Sequence, residues 1–303
     1  MTKNEFMETV KDATLAILRE KDETIDAIIS NVTKTNGVAY SGLSFRGENN
    51  IQPVVYLDSF FERYEKGEID VANIAKTVAD IYMSNKWNND FDMACITNFE
   101  KVKDNIMPFL YNTEANAESL KTMPSRKVED LSLFYKLKIP FSSQDGNGYV
   151  TIHNNLMELW NVTEEDLYEL AWENLKASNK PVFRGMMEVL MDIMGGEGIP
   201  QDDIPEADVP MYILTTEDKY HGSVYMADNK VLSDIAKELD DNLLILPSSR
   251  HEIIILKEAT ASDVDWLKGM VMEVNGTQVA PEDFLSDSVY FFDRQTEKLS
   301  IVA

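Results

Sequence analysis

Residues 243–256 read Leu-Leu-Ile-Leu-Pro-Ser-Ser-Arg-His-Glu-Ile-Ile-Ile-Leu, with a polar segment between two apolar runs. Short runs of branched apolar residues that end at turn residues are typical of buried β-strands. We therefore predict strands at 243–246 and 252–256, joined by the Pro-Ser-Ser-Arg segment. Because core strands hold both of its ends, this turn is expected to have a fixed backbone.

The rest of the last third alternates strands and amphipathic helices around this pair. In the helices, apolar residues recur every three to four positions, which is the spacing of one helix face. The predicted strands lie at 210–215, 222–226, 288–293 and 298–302, and the predicted helices at 228–239 and 263–274.

The first two thirds show a similar mixture of elements. Asn36-Gly37 stands between two β-type runs, and both residues tolerate the positive φ that a tight hairpin turn requires. Thr163 precedes an acidic, periodic segment and is a good helix N-cap. This combination predicts an α+β fold class, with mixed, mainly antiparallel sheets and amphipathic helices packed on them. The further predicted helices lie at 3–21, 58–67, 71–86, 98–110 and 184–194, and the strands at 28–34, 38–45, 53–57, 91–96, 131–139 and 149–153.

Residues 195–209 interrupt this pattern. The segment is rich in Gly, Pro and acidic residues, a composition typical of a linker or a mobile loop. It divides the prediction into an N-terminal α+β lobe at 1–194 and a C-terminal α+β lobe at 210–303, with one continuous domain as the alternative. Just before it, the methionines of 184–194 are expected to fill the core.

Charge is the most unusual property of the chain. There are 53 Asp and Glu residues against 28 Lys and Arg, which gives a formal net charge of −25. Binding to nucleic acid or to an anionic membrane depends on clustered cations, so neither direct nucleic-acid binding nor a membrane partner is expected. A solvated acidic surface that maintains solubility accounts for the charge. The alternative is a surface that mimics nucleic acid or binds a basic protein partner.

Cys95 is the single cysteine, so no internal disulfide can form. It stands in an apolar stretch and is interpreted as a small buried hydrophobe. The start of the chain lacks the basic and apolar regions of a secretory signal, and no apolar run approaches the roughly 20 residues of a membrane span. We therefore expect a cytoplasmic protein.

No cofactor and no metal site is predicted. The three histidines, His153, His221 and His251, are far apart in the sequence, and no zinc-binding spacing is present. The glycine-rich loops that bind nucleotides are also missing from the sequence.

The segment Ser248–Glu252 carries the densest set of reactive groups and is the candidate site. If it is extended, Ser249 and His251 point to one face, while the other three side chains point to the opposite face. His251 as general base would activate Ser249 or a water, but the sequence shows no nucleophile elbow. The alternative is that these groups hydrogen-bond the turn and the neighbouring strands. The candidate catalytic residues are Ser249, His251 and Glu252, and the candidate binding residues are Ser248, Ser249, Arg250, His251 and Glu252.

The same segment carries a resemblance to a known family. In order and spacing, nearly the whole chain resembles an uncharacterised bacterial family, domain of unknown function 5688, which is met mostly in gut Firmicutes. The family's Ser-Ser-x-His-Glu run matches this segment, and Arg250 stands where the family usually has an aliphatic residue. The resemblance implies no reaction. Its other supports are Thr35-Asn-Gly, Asn98-Phe-Glu-Lys-Val, Trp160-Asn-Val-Thr-Glu-Glu-Asp-Leu-Tyr, Tyr212-Ile-Leu-Thr and Asn275-Gly-Thr-Gln-Val.

Three functions remain open from the sequence. The first is a cytoplasmic binding or regulatory protein with its site at the Ser-Ser-Arg-His-Glu turn. The second is a hydrolase that uses His251 as general base. The third is an acidic nucleic-acid mimic that inhibits a basic protein.

Overall fold

The computed structural model describes residues 1–20, 25–46, 54–84, 93–139, 148–193, 210–260 and 263–303. The chain forms two compact units. The first comprises Met1–Phe91 with Phe141–Gly146, and the second comprises Asp92–Pro140 with Asn147–Ala303. Within the described residues, no helix combines the length and the apolar character that crossing a membrane requires.

The first unit is a three-stranded antiparallel sheet, in the order β1-β2-β3, with helices packed on it. The β1–β2 hairpin turns at Asn36 and Gly37, whose φ values of 60° and 70° confirm the predicted turn. The core is apolar and includes Phe6 and Leu43, both fully buried. The elements are α1 (Lys3–Arg19), β1 (Asp26–Thr33), β2 (Ala39–Arg46), β3 (Val54–Tyr56), α2 (Asp58–Glu65) and α3 (Val71–Ser84).

The second unit contains a four-stranded antiparallel sheet in which one long central strand pairs with three others. Its longest helix begins at a capping box between Thr163 and Asp166, as predicted. The elements are α4 (Phe99–Val102), β4 (Ile106–Asn112), α5 (Ala117–Leu120), β5 (Ser125–Val128), the central β6 (Leu131–Ile139), β7 (Gly148–Thr151), α6 (Asn154–Trp160) and α7 (Glu164–Ser178).

The second unit also contains a six-stranded antiparallel sheet, in the order β13-β12-β10-β11-β9-β8. The apolar runs around the polar turn form its central strands β10 and β11, as predicted. The α+β fold class is therefore confirmed. The elements are β8 (Pro181–Gly185), α8 (Met186–Ile193), β9 (Met211–Thr216), α9 (Asn229–Leu239), β10 (Leu243–Pro247), β11 (Ile253–Lys257), α10 (Val264–Thr277), β12 (Tyr290–Asp293) and β13 (Lys298–Ile301).

The units divide at a different place from the predicted lobes. Residues 195–209, the predicted linker, lie outside the described residues. The nearest described strands on either side of that segment, β8 and β9, pair with each other in one sheet, residues 181–185 against 212–216. The four-stranded sheet and the six-stranded sheet thus belong to the same unit, and the division falls after residue 91.

Three predicted elements take another form. The predicted strand at 91–96 is, in its described part, a 3₁₀ helix at Met93–Thr97. The predicted strand at 222–226 is a buried 3₁₀ helix, Gly222–Ala227. The predicted helix at 98–110 is one short helix, α4, followed by β4. Pro108 lies in the last turn of the predicted helix, where its missing N–H would remove a hydrogen bond of the helix.

Helix α8 corrects the expectation that its methionines fill the core. None of its residues is buried, and Met191 and Ile193 are 38% and 72% exposed. The amphipathic pattern therefore predicted the helix correctly, but the expected burial of its apolar face was wrong. Cys95, expected to be buried, is half-buried.

Candidate functional site

The segment Ser248–Glu252 is a reverse turn between β10 and β11, and it closes on itself through Ser249. The Ser249 N–H donates to the Glu252 carbonyl (3.2 Å). The His251 N–H donates to the Ser249 hydroxyl oxygen (3.0 Å). The extended arrangement considered above is therefore not formed, and Ser249 contacts the backbone of His251 rather than its ring.

The turn is fixed from outside by β9 and by the 3₁₀ helix. The His251 carbonyl accepts from the Thr215 hydroxyl (2.8 Å) and from the Gly222 N–H (2.9 Å). The Ser223 hydroxyl donates to the Arg250 carbonyl (2.7 Å). A Cβ on Gly222 would lie 2.6 Å from the His251 oxygen, so only glycine allows this approach.

Asp283 contacts the side chains of both Arg250 and His251, which would point to opposite faces if the segment were extended. Its Oδ1 lies 2.6 Å from Arg250 Nε and 3.3 Å from His251 Nε2. The Asp283 carbonyl also accepts from the Arg250 N–H (2.9 Å). A carboxylate 32 residues beyond His251 in the sequence (283 − 251) thus anchors the turn.

His251 has both ring nitrogens against protein groups. Nδ1 accepts from the His221 N–H (3.2 Å), and Nε2 faces Asp283 and lies 3.4 Å from Arg250 Nε. Burial, and then the charge of Arg250, lowers the His251 pKa, while Asp283 acts in the opposite direction. The net lowering favours the neutral ring, and both of its nitrogens contact protein groups.

His221 is a buried polar side chain beside the turn. It is 6% exposed, and its ring centre lies 5.3 Å from that of His251. Its Nδ1 is enclosed and has no hydrogen-bond partner in the described part of the chain. Burial lowers the His221 pKa well below its ordinary value, and the positive charges of Arg250 and Lys136 add to this effect.

Aromatic rings surround His221 and form the wall of a cleft. The ring centres of Tyr220 and Phe109 lie 4.0 and 4.3 Å from that of His221. Tyr149 stacks on Tyr220 at 5.8 Å, and burial raises the pKa of Tyr149 to about 12. The cleft has a volume of about 20 Å³, room for about one water molecule. Its lining includes Lys138, Tyr149, Asn179, Asp218, Tyr220 and His221.

Asp218 gives the cleft a fixed negative group. Its Oδ1 accepts from the Tyr220 N–H (3.0 Å), the Thr216 hydroxyl (2.9 Å) and the Asn179 amide (2.7 Å). A carboxylate with three donors keeps one orientation, because each bond restricts the side chain. The backbone of His221 is also in the left-handed region, with φ 56°.

The remaining predicted residues lie beside this cluster. Ser248 is half-buried. Glu252 is also half-buried, and burial raises its pKa while the charge of Lys219 lowers it. His153 lies elsewhere and contacts the Thr122 hydroxyl through Nδ1 (3.1 Å). In the described residues, no three His, Cys, Asp or Glu side chains are grouped to hold a metal ion.

Sequence reasoning missed much of this cluster. His221 was considered only as one of three scattered histidines, and Tyr149, Asp218 and Asp283 were not considered at all. Contacts between residues so distant in sequence have no periodic signal. One local signal was available, because His221-Gly222 follows a strand and small or polar residues are typical of a sharp change of direction.

Comparison with known proteins gives a family but no activity. The sequence model of a family described as "Family of unknown function (DUF5688)" matches residues 3–294. No curated protein and no solved structure matches the chain.

Proposed function

We propose that this chain, which belongs to the DUF5688 family of unknown function, is a cytoplasmic binding or regulatory protein whose site is the cleft at His221. The Ser-Ser-Arg-His-Glu turn is the support that positions this site. The observation that carries the proposal is the enclosed Nδ1 of His221, which lacks a partner in the described residues. A buried polar atom without a partner costs about 1–3 kcal/mol, so natural proteins seldom keep one without a use.

The cleft indicates what kind of ligand would satisfy that atom. A hydroxyl group suits Nδ1 in either tautomer, because it both donates and accepts. The rings of Tyr149 and Tyr220 favour a flat apolar body next to that hydroxyl. The carboxylate of Asp218, which three donors hold in place, adds a negative charge to the lining of the cleft. A small hydroxylated aromatic or heterocyclic compound combines these features. Only its hydroxyl would enter the cleft, which has room for about one water molecule, and its body would lie against the partly exposed rings of Tyr149 and Tyr220.

The same geometry favours binding over hydrolysis. A nucleophilic serine needs a hydrogen bond to the base that removes its proton. The Ser249 hydroxyl accepts from the His251 N–H, and both His251 ring nitrogens face other groups. The turn thus supports a structural role for Ser249 and leaves ligand recognition to His221.

A ligand screen with matched histidine variants tests this proposal. Hydroxylated aromatic fragments are screened by saturation-transfer NMR against wild type, His221→Phe and His153→Phe. Phenylalanine keeps a ring at position 221 and removes its nitrogens, while His153 is exposed and outside the cleft. We expect fragments that bind wild type and His153→Phe and lose binding to His221→Phe. Fragments that bind all three proteins equally, or no binding to wild type, would refute the proposal.

A further inference from the structure

A second and larger cleft lies at the other end of the 3₁₀ helix Gly222–Ala227. Its volume is about 370 Å³. Pockets of a few hundred Å³ are the usual size of small-molecule sites. Residues of β5, α7 and β13 and the start of α9 form its walls, all within the second unit.

The floor of this cleft is apolar. Leu133 and Met226 are buried beneath it, and Leu299 is half-buried at its side. Arg126 lies over the ring of Tyr168, 3.9 Å from its centre. The floor and walls therefore offer contact area to an apolar or aromatic body.

Arg126 is a fixed wall rather than a free cation. Its guanidinium makes a bidentate contact with Glu164 (2.8 and 2.9 Å) and also bonds Glu165. Two carboxylates balance its charge, and the stacking on Tyr168 restricts its movement. Its positive charge is accordingly not available to a ligand.

Lys127 and Lys298 differ from Arg126 in this respect. Both are exposed and line the cleft, and neither forms an ion pair with any residue that the structure describes. Apart from the balanced Arg126, the lining includes one acid, Glu129, against these two bases. In the whole chain acids outnumber bases by 53 to 28, so the charge balance of this cleft is reversed.

We propose that this cleft binds a small organic monoanion, with an apolar or aromatic body on the floor and a charged group facing Lys127 and Lys298. The net charge of −25 repels polyanions at long range, whereas screening leaves the two lysines effective at short range. A ligand with one negative charge is repelled less than a polyanion and can still contact the two lysines. A large apolar surface lets it also cover the floor of the cleft. This site is independent of the cleft at His221.

Two fluorescent probes of similar shape test the proposal. The anionic probe is 8-anilinonaphthalene-1-sulfonate, and N-phenyl-1-naphthylamine is its neutral counterpart. Both are titrated into wild type, Lys127→Gln/Lys298→Gln, and Lys121→Gln/Lys237→Gln. The last pair removes the same charge from exposed lysines that do not line the cleft and that contact Glu118 and Asp234.

We expect saturable binding of one sulfonate probe per chain, about tenfold tighter than the neutral probe. The cleft variant should weaken the sulfonate probe about tenfold and leave the neutral probe unchanged, and the control variant should stay within about twofold of wild type. The proposal is overturned by unsaturable binding, by equal affinity for the two probes, or by an equal loss in both double variants. Equal loss would mean that the probe responds to net charge alone.

Discussion

His221 is held neutral by its surroundings, and this couples the stability of the fold to pH. Its pKa is depressed in the folded protein, so the unfolded chain binds a proton more readily. Folding stability from this residue is therefore present above the unfolded pKa and lost as the pH falls below it. His251, whose pKa is also lowered, acts in the same direction.

We expect the free energy of unfolding of wild type to decrease from about pH 7 to pH 5.5, by up to about 1.4 kcal/mol per pH unit for each histidine. His221→Phe should show a clearly smaller slope in urea denaturation. Glu252→Gln is the control, because a raised carboxyl pKa gives stability that is lost as the pH rises, the opposite sign. Equal slopes for wild type and His221→Phe would contradict the neutral, buried state of His221.

Gly222 shows how little space the turn leaves. A Cβ at this position would lie 2.5 Å from Thr215 Cα and 2.6 Å from the His251 carbonyl oxygen. Both neighbours are backbone atoms of core strands or of the fixed turn, so neither moves easily.

Gly222→Ala is therefore expected to lower the free energy of unfolding by about 2–3 kcal/mol. Gly269→Ala is the matched control, since a Cβ there meets nothing within 4 Å in the middle of α10. That substitution should raise stability by about 0.5–1 kcal/mol, because alanine favours the helix. Thermal and urea denaturation measure both changes, and a loss of similar size in the two variants would show that space at Gly222 is not the cause.

At the scale of elements, the turn between β10 and β11 depends on a residue from another segment. Asp283 contacts Arg250 and His251 with its carboxylate and Arg250 with its carbonyl. Its negative charge raises the pKa of His251 against the lowering effects of burial and of Arg250.

Asp283→Asn keeps the shape and removes the charge, so the His251 pKa should fall further. NMR titration of the imidazole Cε1–H signals measures this, with His251→Phe to assign the signal. Stability should fall by about 1–2 kcal/mol, since the Arg250 side chain is only partly exposed. Asp265→Asn, an exposed residue in the first turn of α10, should change neither quantity. An unchanged His251 titration in Asp283→Asn would show that the two groups do not interact.

The elements that the sequence predicts well are those with a local cause. Asn36 and Gly37 adopt the positive φ that asparagine and glycine tolerate, and Thr163 caps α7 with Asp166. Residues 222–226 look like a strand because a short apolar run has no clear period. Their helical form depends on the contact of Gly222 with β9 and the turn, which no local pattern contains.

The distinction between local causes and contacts of distant residues also explains what the sequence predicted, and what it missed, for α8 and for the candidate site. Apolar spacing predicts an amphipathic helix but not what lies against it, and α8 keeps Ile193 largely exposed. The turn at 248–252 was identified from its polar residues between strands. Its neighbour His221 was not, because the sequence has no spacing rule for the three-dimensional proximity of two histidines 30 residues apart (251 − 221).

At the scale of the whole molecule, Asp130 connects the two sheets of the second unit. It lies in the turn between β5 and β6 of the four-stranded sheet. Its carboxylate accepts from the Tyr290 hydroxyl of β12, from Ser286 (2.7 Å) and from Ser288 (3.1 Å). Tyr290 is fully buried, and burial together with the bond to Asp130 raises its pKa.

Because Tyr290 and Ser286 have little access to water, loss of their acceptor should be costly. We expect Asp130→Asn to lower the free energy of unfolding by about 3 kcal/mol, and Tyr290→Phe by about 1–2 kcal/mol. The double variant should lose at least about 1 kcal/mol less than the sum, because both changes break the same bond. Asp265→Asn corrects for the change in net charge and should stay within about 0.5 kcal/mol of wild type. If the two losses add without coupling in urea denaturation, the Asp130–Tyr290 bond does not hold the sheets together, and their apolar contact alone does so.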